Sequence, residues 1–271
     1  MKRLVQKILN GFGYQVLPKS QDPVLQELLF VYRQLRTSPS ACDRQHQLAK
    51  VASLGHLGDL LHAHQIQTVV DVGANIGQFG LSLRKLGFKG KIVSFEPMEQ
   101  ARGKLEEVAA EYPPWNVFSS ALGSRSEEQI LQIFKDDTFS SLHSMTESGK
   151  KTFGSYVQAQ GAQAVKIETL DGLLHGQLGR EIHGAIMIKT DTQGHDLEVL
   201  KGGVQLLKKT SVVMTEAAVE VIYEGAPFFT EILAFLRQNG FEASGFYPFS
   251  HQPESLAMIE FDAFFVRKST N

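Results

Sequence analysis

Asp71-Val72-Gly73-Ala74-Asn75-Ile76-Gly77-Gln78-Phe79-Gly80 follows a short apolar run, residues 68–70, and precedes a helix-like stretch that begins at Leu81. This order predicts a strand, a glycine-rich turn and the start of a helix. The spacing Asp-x-Gly-x-x-x-Gly differs from the Gly-x-Gly-x-x-Gly of dinucleotide sites, and the segment has no Walker lysine. Gly73 and Gly77 have no Cβ, so we expect a ligand to approach the backbone there. An acid at the strand end would repel a phosphate but would suit a cationic or amino-bearing ligand.

A second carboxylate ends the next predicted strand. The stretch Lys91-Ile92-Val93-Ser94-Phe95-Glu96-Pro97 places Glu96 one βαβ unit after Asp71. In doubly wound sheets, an acid at this place accepts the ribose hydroxyls of an adenosine ligand. S-adenosylmethionine (SAM) carries a sulfonium, an amino group and an adenosine but no phosphate. Each feature alone is common in unrelated turns and strand ends, but their order and separation together predict a SAM site.

Composition limits the classes of protein that fit. The chain has 271 residues, a net charge of −2 and one cysteine, Cys42. The length suits one large domain, alone or with an extension. The weak net charge gives no field that favours nucleic acid, so we expect no nucleic-acid partner. A disulfide within the chain is excluded, which is typical of a cytoplasmic protein. No apolar run reaches the roughly 20 residues that span a bilayer.

The N-terminus is basic and amphipathic. Residues 1–11 include Lys2, Arg3 and Lys7 and no acid. Such a helix can lie on an anionic membrane surface, here the inner face, or can pack on its own domain or on a second subunit of a homo-oligomer. Helical patterns continue to about residue 64, which predicts a helical N-terminal extension at 1–64 and a main domain at 65–271. The apolar positions at near-helical spacing are Leu4, Val5, Ile8, Leu9 and Phe12.

From residue 68 onward, strand and helix patterns alternate, and the chain closes with two strands that have no helix between them. This order predicts an α/β fold: a Rossmann-like sheet of the class I methyltransferase type, with helices on both faces and a closing antiparallel hairpin. The predicted strands or extended segments are 68–73, 91–95, 115–120, 128–134, 165–169, 186–190, 211–215, 241–247 and 261–267. The predicted helices are 77–87, 98–111, a stretch after 190 that ends at 208, and 227–239.

The ordered set of motifs resembles the FkbM family of SAM-dependent methyltransferases over roughly residues 66–268. The resemblance implies O-methylation, often of sugar hydroxyls in glycans, glycolipids or natural products. One departure stands out: the family commonly has Asp-Val-Glu-Gly-x-Glu where this chain has Asp191-Thr192-Gln193-Gly194-His195-Asp196, so Gln193 removes a carboxylate. The motifs that carry the resemblance are Val70–Gly77, Phe95–Pro97, Ser120–Gly123, Ser140–Leu142, Thr169–Asp171, Lys189–Gly202 and Glu216.

The predicted cofactor site follows from the first three strand ends. One group of residues is predicted to hold the methionine part of SAM, Glu96 to bind the ribose, and a third group to flank the adenine. The methionine group is Asp71, Gly73, Asn75 and Gly77, and the adenine group is Ser120, Ala121 and Leu122.

Methyl transfer to a hydroxyl is an in-line displacement that needs alignment and a base. Asp191 and Glu216 end consecutive predicted strands, so both can face one crevice. They could hold the hydroxyl, take its proton or jointly bind a divalent cation; Asp191 could also simply cap the following helix. His143 and His195 are further candidate bases, although His195 also suits a solvent-facing position in a first helical turn.

Three rival functions compete with this interpretation. An NAD-dependent oxidoreductase conflicts with the glycine spacing and the closing hairpin. A non-catalytic binding module of the same fold is compatible with Gln193. A nucleic-acid methyltransferase is a weaker alternative, because this chain has neither an Asn-Pro-Pro-aromatic motif nor a long basic stripe. The expected acceptor is therefore a small molecule or a glycan.

Overall fold

The structure is a computed structural model that describes residues 40–269. The basic N-terminal stretch lies outside this part of the chain, so its contact with a membrane or a second subunit stays a prediction. Within residues 40–269, no helix combines the length and the apolar character that a bilayer crossing requires.

Ten strands and nine α-helices form the described chain. The strands are β1 (Ile66–Val72), β2 (Lys91–Phe95), β3 (Trp115–Phe118), β4 (Ala121–Leu122), β5 (Glu127–Phe134), β6 (Ala159–Glu168), β7 (Ala185–Thr190), β8 (Thr210–Ala218), β9 (Phe241–His251) and β10 (Met258–Arg267). The helices are α1 (Ala41–Ala63), α2 (Gln78–Lys85), α3 (Glu99–Glu111), α4 (Glu147–Phe153), α5 (Leu170–Leu174), α6 (Gln177–Glu181), α7 (Asp196–Lys201), α8 (Val204–Leu207) and α9 (Phe229–Gln238).

Seven strands form the main sheet in the order β3-β2-β1-β7-β8-β10-β9. Strands β1, β2, β3, β7 and β8 are parallel, whereas β10 runs antiparallel to both β8 and β9. This arrangement confirms the predicted class I methyltransferase fold with its closing hairpin. The strand order reverses between β1 and β7, and open α/β sheets bind ligands beside the strand ends at such a point.

The sheet is covered on both faces because successive side chains of a strand point to opposite sides. Val69 of β1 packs in an apolar cluster with Leu57 of α1 and Leu105 of α3. Its neighbour Val70 packs in a second cluster with Leu200 of α7 and residues of α8 and α9. The central strands are therefore nearly continuous apolar runs, and their polar residues come at the carboxyl ends.

Several predicted boundaries of strands and helices were wrong. The third strand ends at Phe118, because the chain then turns into β4 of a separate three-stranded sheet, β4-β6-β5. The helix predicted to end at residue 208 is two short helices separated by Gly202 and Gly203. A Cβ on Gly202 would lie 2.0 Å from the carbonyl oxygen of Gly123, so close packing of two backbones requires glycine there.

Helix α1 is part of the wall around the carboxyl ends of the strands. His46 Nδ1 lies 2.8 Å from the carbonyl oxygen of Phe249, and His56 Nε2 lies 2.9 Å from Ser244 Oγ. Both partners belong to β9, so α1 is anchored along the edge strand of the sheet. The helical pattern of the N-terminal extension therefore has, in its described part, a packing role against the main sheet.

Candidate functional site

A cavity of about 680 Å³ lies at the carboxyl ends of β1, β2, β7 and β8. Its walls also include residues of α1, β9 and β10 and the segment 137–142 that follows β5. The two halves of the predicted site line this single cavity.

The glycines of the first turn make room for protein atoms. Gly73 has φ +73°, and a Cβ there would lie 1.9 Å from the carbonyl oxygen of Asp191. Gly77 has φ +93°, and its Cβ would lie 3.0 Å from Leu105 Cδ1 and 3.3 Å from Trp115. Gly73 lines the cavity and Gly77 does not. Both glycines thus meet a packing requirement with left-handed backbone, and of the two only Gly73 lies where a ligand can approach.

Asp71 lies beneath the cavity wall rather than in it. Its side chain is completely buried, its Oδ1 lies 3.1 Å from Lys189 Nζ, and Ser94 Oγ donates to its Oδ2 at 3.3 Å. Lys189 Nζ also donates to the carbonyl oxygen of Gly73 at 2.9 Å. Burial lowers the pKa of Lys189, but attraction to Asp71 and Asp191 outweighs burial and raises the pKa overall. Asp71 therefore supports the turn through Lys189, and its carboxylate does not reach the methionine position predicted for it.

Glu96 is the best-organised acceptor on the cofactor side. Its Oε2 accepts from the backbone N–H of Asn75 and its Oε1 from that of Met98, both at 2.8 Å. Burial raises the pKa of Glu96 to about 7, while the two N–H donors oppose the shift. Each oxygen keeps a second lone pair, so the carboxylate can still accept two hydroxyl groups of a ligand.

The residues predicted to flank an adenine also line the cavity. Ser120 precedes β4, and Ala121 and Leu122 form it, so the small sheet supplies this part of the wall. The hydroxyl of Ser120 donates to Glu168, which leaves only its lone pairs available to a ligand. Asn75 completes the side nearest Glu96 and adopts φ +46°.

On the opposite side, Gln193 holds the two predicted carboxylates together. Its Nε2 donates to Asp191 Oδ1 at 3.0 Å and to Glu216 Oε2 at 2.8 Å. The Tyr223 hydroxyl lies 2.7 Å from Gln193 Oε1 and 3.0 Å from the carbonyl oxygen of Phe139, and it donates to one of them at a time. Burial, followed by repulsion from Asp191, raises the pKa of Glu216 well above its usual range. Gln193, which departs from the family motif, therefore links Asp191 and Glu216 through hydrogen bonds.

Sequence reasoning missed two further acids in the cavity wall. Glu260 and Asp262 lie on β10, and Asp262 is directly opposite Glu216 of β8. Burial and repulsion from Asp191 raise the pKa of Glu260 to about 8 and that of Asp262 to about 7. The sequence contained a signal for these residues: two acids stand at alternate positions of an otherwise apolar strand, and alternate residues of a strand share one face.

The two candidate histidines contact each other. His143 Nε2 lies 3.0 Å from His195 Nδ1, although only His195 lines the cavity. His195 is buried rather than solvent-facing, and burial together with His143 lowers its pKa to about 4. Its Nε2 has no partner within residues 40–269 and lies beside Gly123, where a Cβ would be 2.9 Å away. His195 is thus neutral at physiological pH, and His143 has no direct access to a ligand.

A metal site finds little support in this geometry. Among the residues that the structure describes, no group of three or more His, Cys, Asp or Glu side chains is arranged to hold a metal ion. The space between Asp191 and Glu216 is bridged by the amide N–H groups of Gln193, which would face a cation with the wrong polarity.

Comparison with known proteins places the chain in a family. The model of the methyltransferase FkbM domain matches residues 71–243. The AMB antimetabolite synthetase AmbE of Pseudomonas aeruginosa is 26% identical over 201 residues, which are 65% of this chain and 10% of AmbE. This chain therefore spans about a tenth of that relative.

Two solved structures are similar at low identity. Magnesium protoporphyrin IX methyltransferase (ChlM) from Synechocystis PCC 6803, solved with bound SAM, is 11% identical with a TM-score of 0.45 and covers 98% of this chain and 97% of its own. A putative S-adenosylmethionine-dependent methyltransferase from Listeria monocytogenes is 10% identical with a TM-score of 0.42 and covers 80% of this chain and 99% of its own. Because the family model matches well over half of the chain and begins at the glycine-rich turn, this protein belongs to the FkbM methyltransferase family.

Proposed function

We propose that this protein is a SAM-dependent O-methyltransferase that acts on a hydroxyl of a sugar in a glycan, a glycolipid or a glycosylated natural product. The observation that carries the proposal is the Glu96 carboxylate, which two backbone N–H groups hold at the end of β2 with lone pairs free for a ribose. Membership of the FkbM family supports methyl transfer as the reaction.

The cofactor half would bind SAM through preorganised groups. Glu96 would accept the ribose hydroxyls, and Ala121 and Leu122 would contact the adenine. Gly73 and Asn75 would bound the methionine part, with Asp71 and Lys189 holding the turn from below. SAM would supply the electrophilic methyl group. Because the protein groups are already fixed, little ordering is required on binding.

Asp191 would be the base of the acceptor half. Its side chain is 45% exposed and lies at the end of β7, beside the first strand of the cofactor half. Gln193 orients its Oδ1, while Oδ2 lies 3.6 Å from Lys189 Nζ. A positioned base of this kind contributes about 10²–10⁴-fold to proton transfer. Glu216 would share the acceptor hydroxyl, and the pair of histidines would support the wall without touching the reacting atoms.

The first experiment is calorimetry of the full chain with SAM, S-adenosylhomocysteine and NADH. We expect micromolar binding of the two adenosyl ligands and no binding of NADH. The second is a transfer assay with labelled SAM and a panel of sugars, with NMR to locate the new methyl group, in the presence and absence of EDTA. NADH binding would support the oxidoreductase alternative. SAM binding without transfer to any sugar, lipid-linked sugar or small alcohol would support the non-catalytic module.

A further inference from the structure

The cavity has an acidic basin on its acceptor side, which we define as Glu216, Glu260 and Asp262. Asp262 pairs in register with Glu216, and Glu260 lies on the same face of β10 two positions earlier. All three line the cavity. β8 and β10 are the second and third strands from β1, so at a strand spacing of about 4.8 Å the basin lies roughly 10–14 Å from the strand that carries the glycine-rich turn. The basin is therefore separate from the cofactor half.

Among the residues that the structure describes, no ion pair involves a carboxyl group of the basin, although Lys189 attracts Asp262 from a distance. Glu260 is 6% exposed and has no side-chain hydrogen bond or ion pair within the described chain. Asp262 accepts a bond from Ser53 of α1, and Glu216 accepts from the neutral amide of Gln193. Without a ligand, burial favours the protonated form of these acids, and a cationic ligand would let them ionise beside it, so an unpartnered acid beside two others points to such a ligand.

The cations of the cavity wall do not meet this need. Lys189 is buried and already ion-paired with Asp71 and Asp191. Lys50 lies exposed on α1, across the cavity from the sheet. Neither neutralises Glu260. The acids of the basin thus lie without a cation where an acceptor, rather than SAM, would bind.

On the basis of the proposed function, we propose that the methyl acceptor carries a protonated amine, which the basin binds while its hydroxyl lies beside Asp191. An ammonium group has three donors, so it can contact more than one carboxyl group of the basin. The acceptor class is thus an amino sugar or another amino alcohol, methylated on oxygen. The amine is only an anchor: at the hydroxyl, a methyl carbon–oxygen bond would form as the methyl carbon–sulfur bond of SAM breaks, Asp191 would take the hydroxyl proton, and S-adenosylhomocysteine would leave.

The test uses matched probes that differ at one group. Glucosamine, N-acetylglucosamine and glucose carry an ammonium, an acetamide and a hydroxyl at the same carbon; 2-amino-1,3-propanediol and glycerol form a smaller pair. Binding of each to the full chain saturated with S-adenosylhomocysteine is measured by saturation-transfer NMR and calorimetry. We expect the amine-bearing member of at least one set to bind at least tenfold more tightly than its neutral partners.

Substitutions in the basin test whether its carboxyl groups cause the preference for an amine. Glu260→Gln and Asp262→Asn keep the side-chain shape, and each is expected to reduce the amine preference at least fivefold. Glu242→Gln, on the exposed part of β9, is the matched control and is expected to leave it unchanged. Unchanged circular dichroism and S-adenosylhomocysteine affinity identify correctly folded variants, and either substitution alone suffices for the test.

Three results would overturn the inference. The first is the absence of any amine preference in all probe sets, and the second is a preference that both basin variants retain. The third is Mg²⁺ or Mn²⁺ binding that Glu260→Gln abolishes, because the occupant would then be a metal ion. Failure of the proposed function is distinguishable: it appears as lost adenosyl-ligand binding or as no methyl transfer, whereas methylation of neutral sugars without amine preference refutes only the amine.

Discussion

The two halves of the cavity treat their carboxylates differently. On the cofactor side, Glu96 is held by two backbone N–H donors, and Asp71 is paired with Lys189. On the acceptor side, Glu216 meets only a neutral amide, and Glu260 has no partner in the described part of the chain. The first half is complete without a ligand, whereas the second is electrostatically incomplete.

This difference indicates how the fold divides stability from specificity. Two backbone N–H groups of adjoining turns hold Glu96, and Lys189 of the neighbouring strand β7 pairs with Asp71, so the geometry of the cofactor half is set when the sheet forms. The acceptor half collects acids from β7, β8 and β10, and without a ligand their burial and mutual repulsion favour the protonated forms. Substitutions in the cofactor half should therefore destabilise the protein, whereas substitutions in the acceptor half should change its substrate preference.

The largest effect is expected when the buried ion pair beneath the turn is broken. Lys189→Met leaves Asp71 buried and unpaired, which should lower the free energy of unfolding by about 3–5 kcal/mol. Urea denaturation measures this loss. Lys166→Met, which removes an exposed pair with Glu168, is the control and should cost less than about 1 kcal/mol. Combining Lys189→Met with Asp71→Asn should recover part of the loss; no recovery would mean that the pair is not its cause.

The base should matter more for turnover than for binding. Asp191→Asn is expected to reduce kcat by about 10²-fold or more and to leave SAM affinity within a few-fold, because the carboxylate acts only on the acceptor. Single-turnover kinetics at saturating SAM measure the effect, with Asp59→Asn on the exposed face of α1 as control. Lost SAM binding with normal turnover at saturation would contradict the assignment.

Glu96 should affect the cofactor alone. Glu96→Ala is expected to weaken SAM binding by about 1–3 kcal/mol, since two ribose hydroxyls would lose their acceptor. Calorimetry against Glu99→Ala, an exposed acid at the start of α3, measures the difference. Wild-type affinity in a folded Glu96→Ala protein would refute the ribose site.

The smallest effect, taken per pH unit, concerns the protonation of Glu260. Burial raises the pKa of Glu260 from 4.5 to about 8, so the folded protein binds a proton through this window and the unfolded chain does not. The contribution of Glu260 to stability is therefore complete below pH 4.5 and is lost as the pH rises to 8, at no more than about 1.4 kcal/mol per pH unit. Unfolding of the ligand-free protein between pH 5 and pH 8 should show a shallower decline in Glu260→Gln than in Glu242→Gln. Parallel pH profiles would show that Glu260 does not titrate in this range.

The sequence by itself determined the features that depend on neighbours along the chain. The glycine-rich turn, the acid that ends β2 and the closing pair of strands were readable because backbone conformation and side-chain alternation are local properties. The family followed from the same motifs. The boundaries that failed, at Phe118 and Gly202, are places where a distant segment sets the backbone path.

Only the tertiary structure decided what those residues contact. The carbonyl oxygen of Asp191 is the reason why position 73 requires glycine, and the ion pair with Lys189 is the reason why Asp71 is buried. Gln193 replaces a carboxylate of the family motif, yet its amide joins Asp191 to Glu216. These partners come from strands far apart in the chain, and their meeting depends on strand order and register. The same register brings Glu260 and Asp262 to the cavity, because β10 returns antiparallel beside β8 and places their side chains opposite the end of that strand.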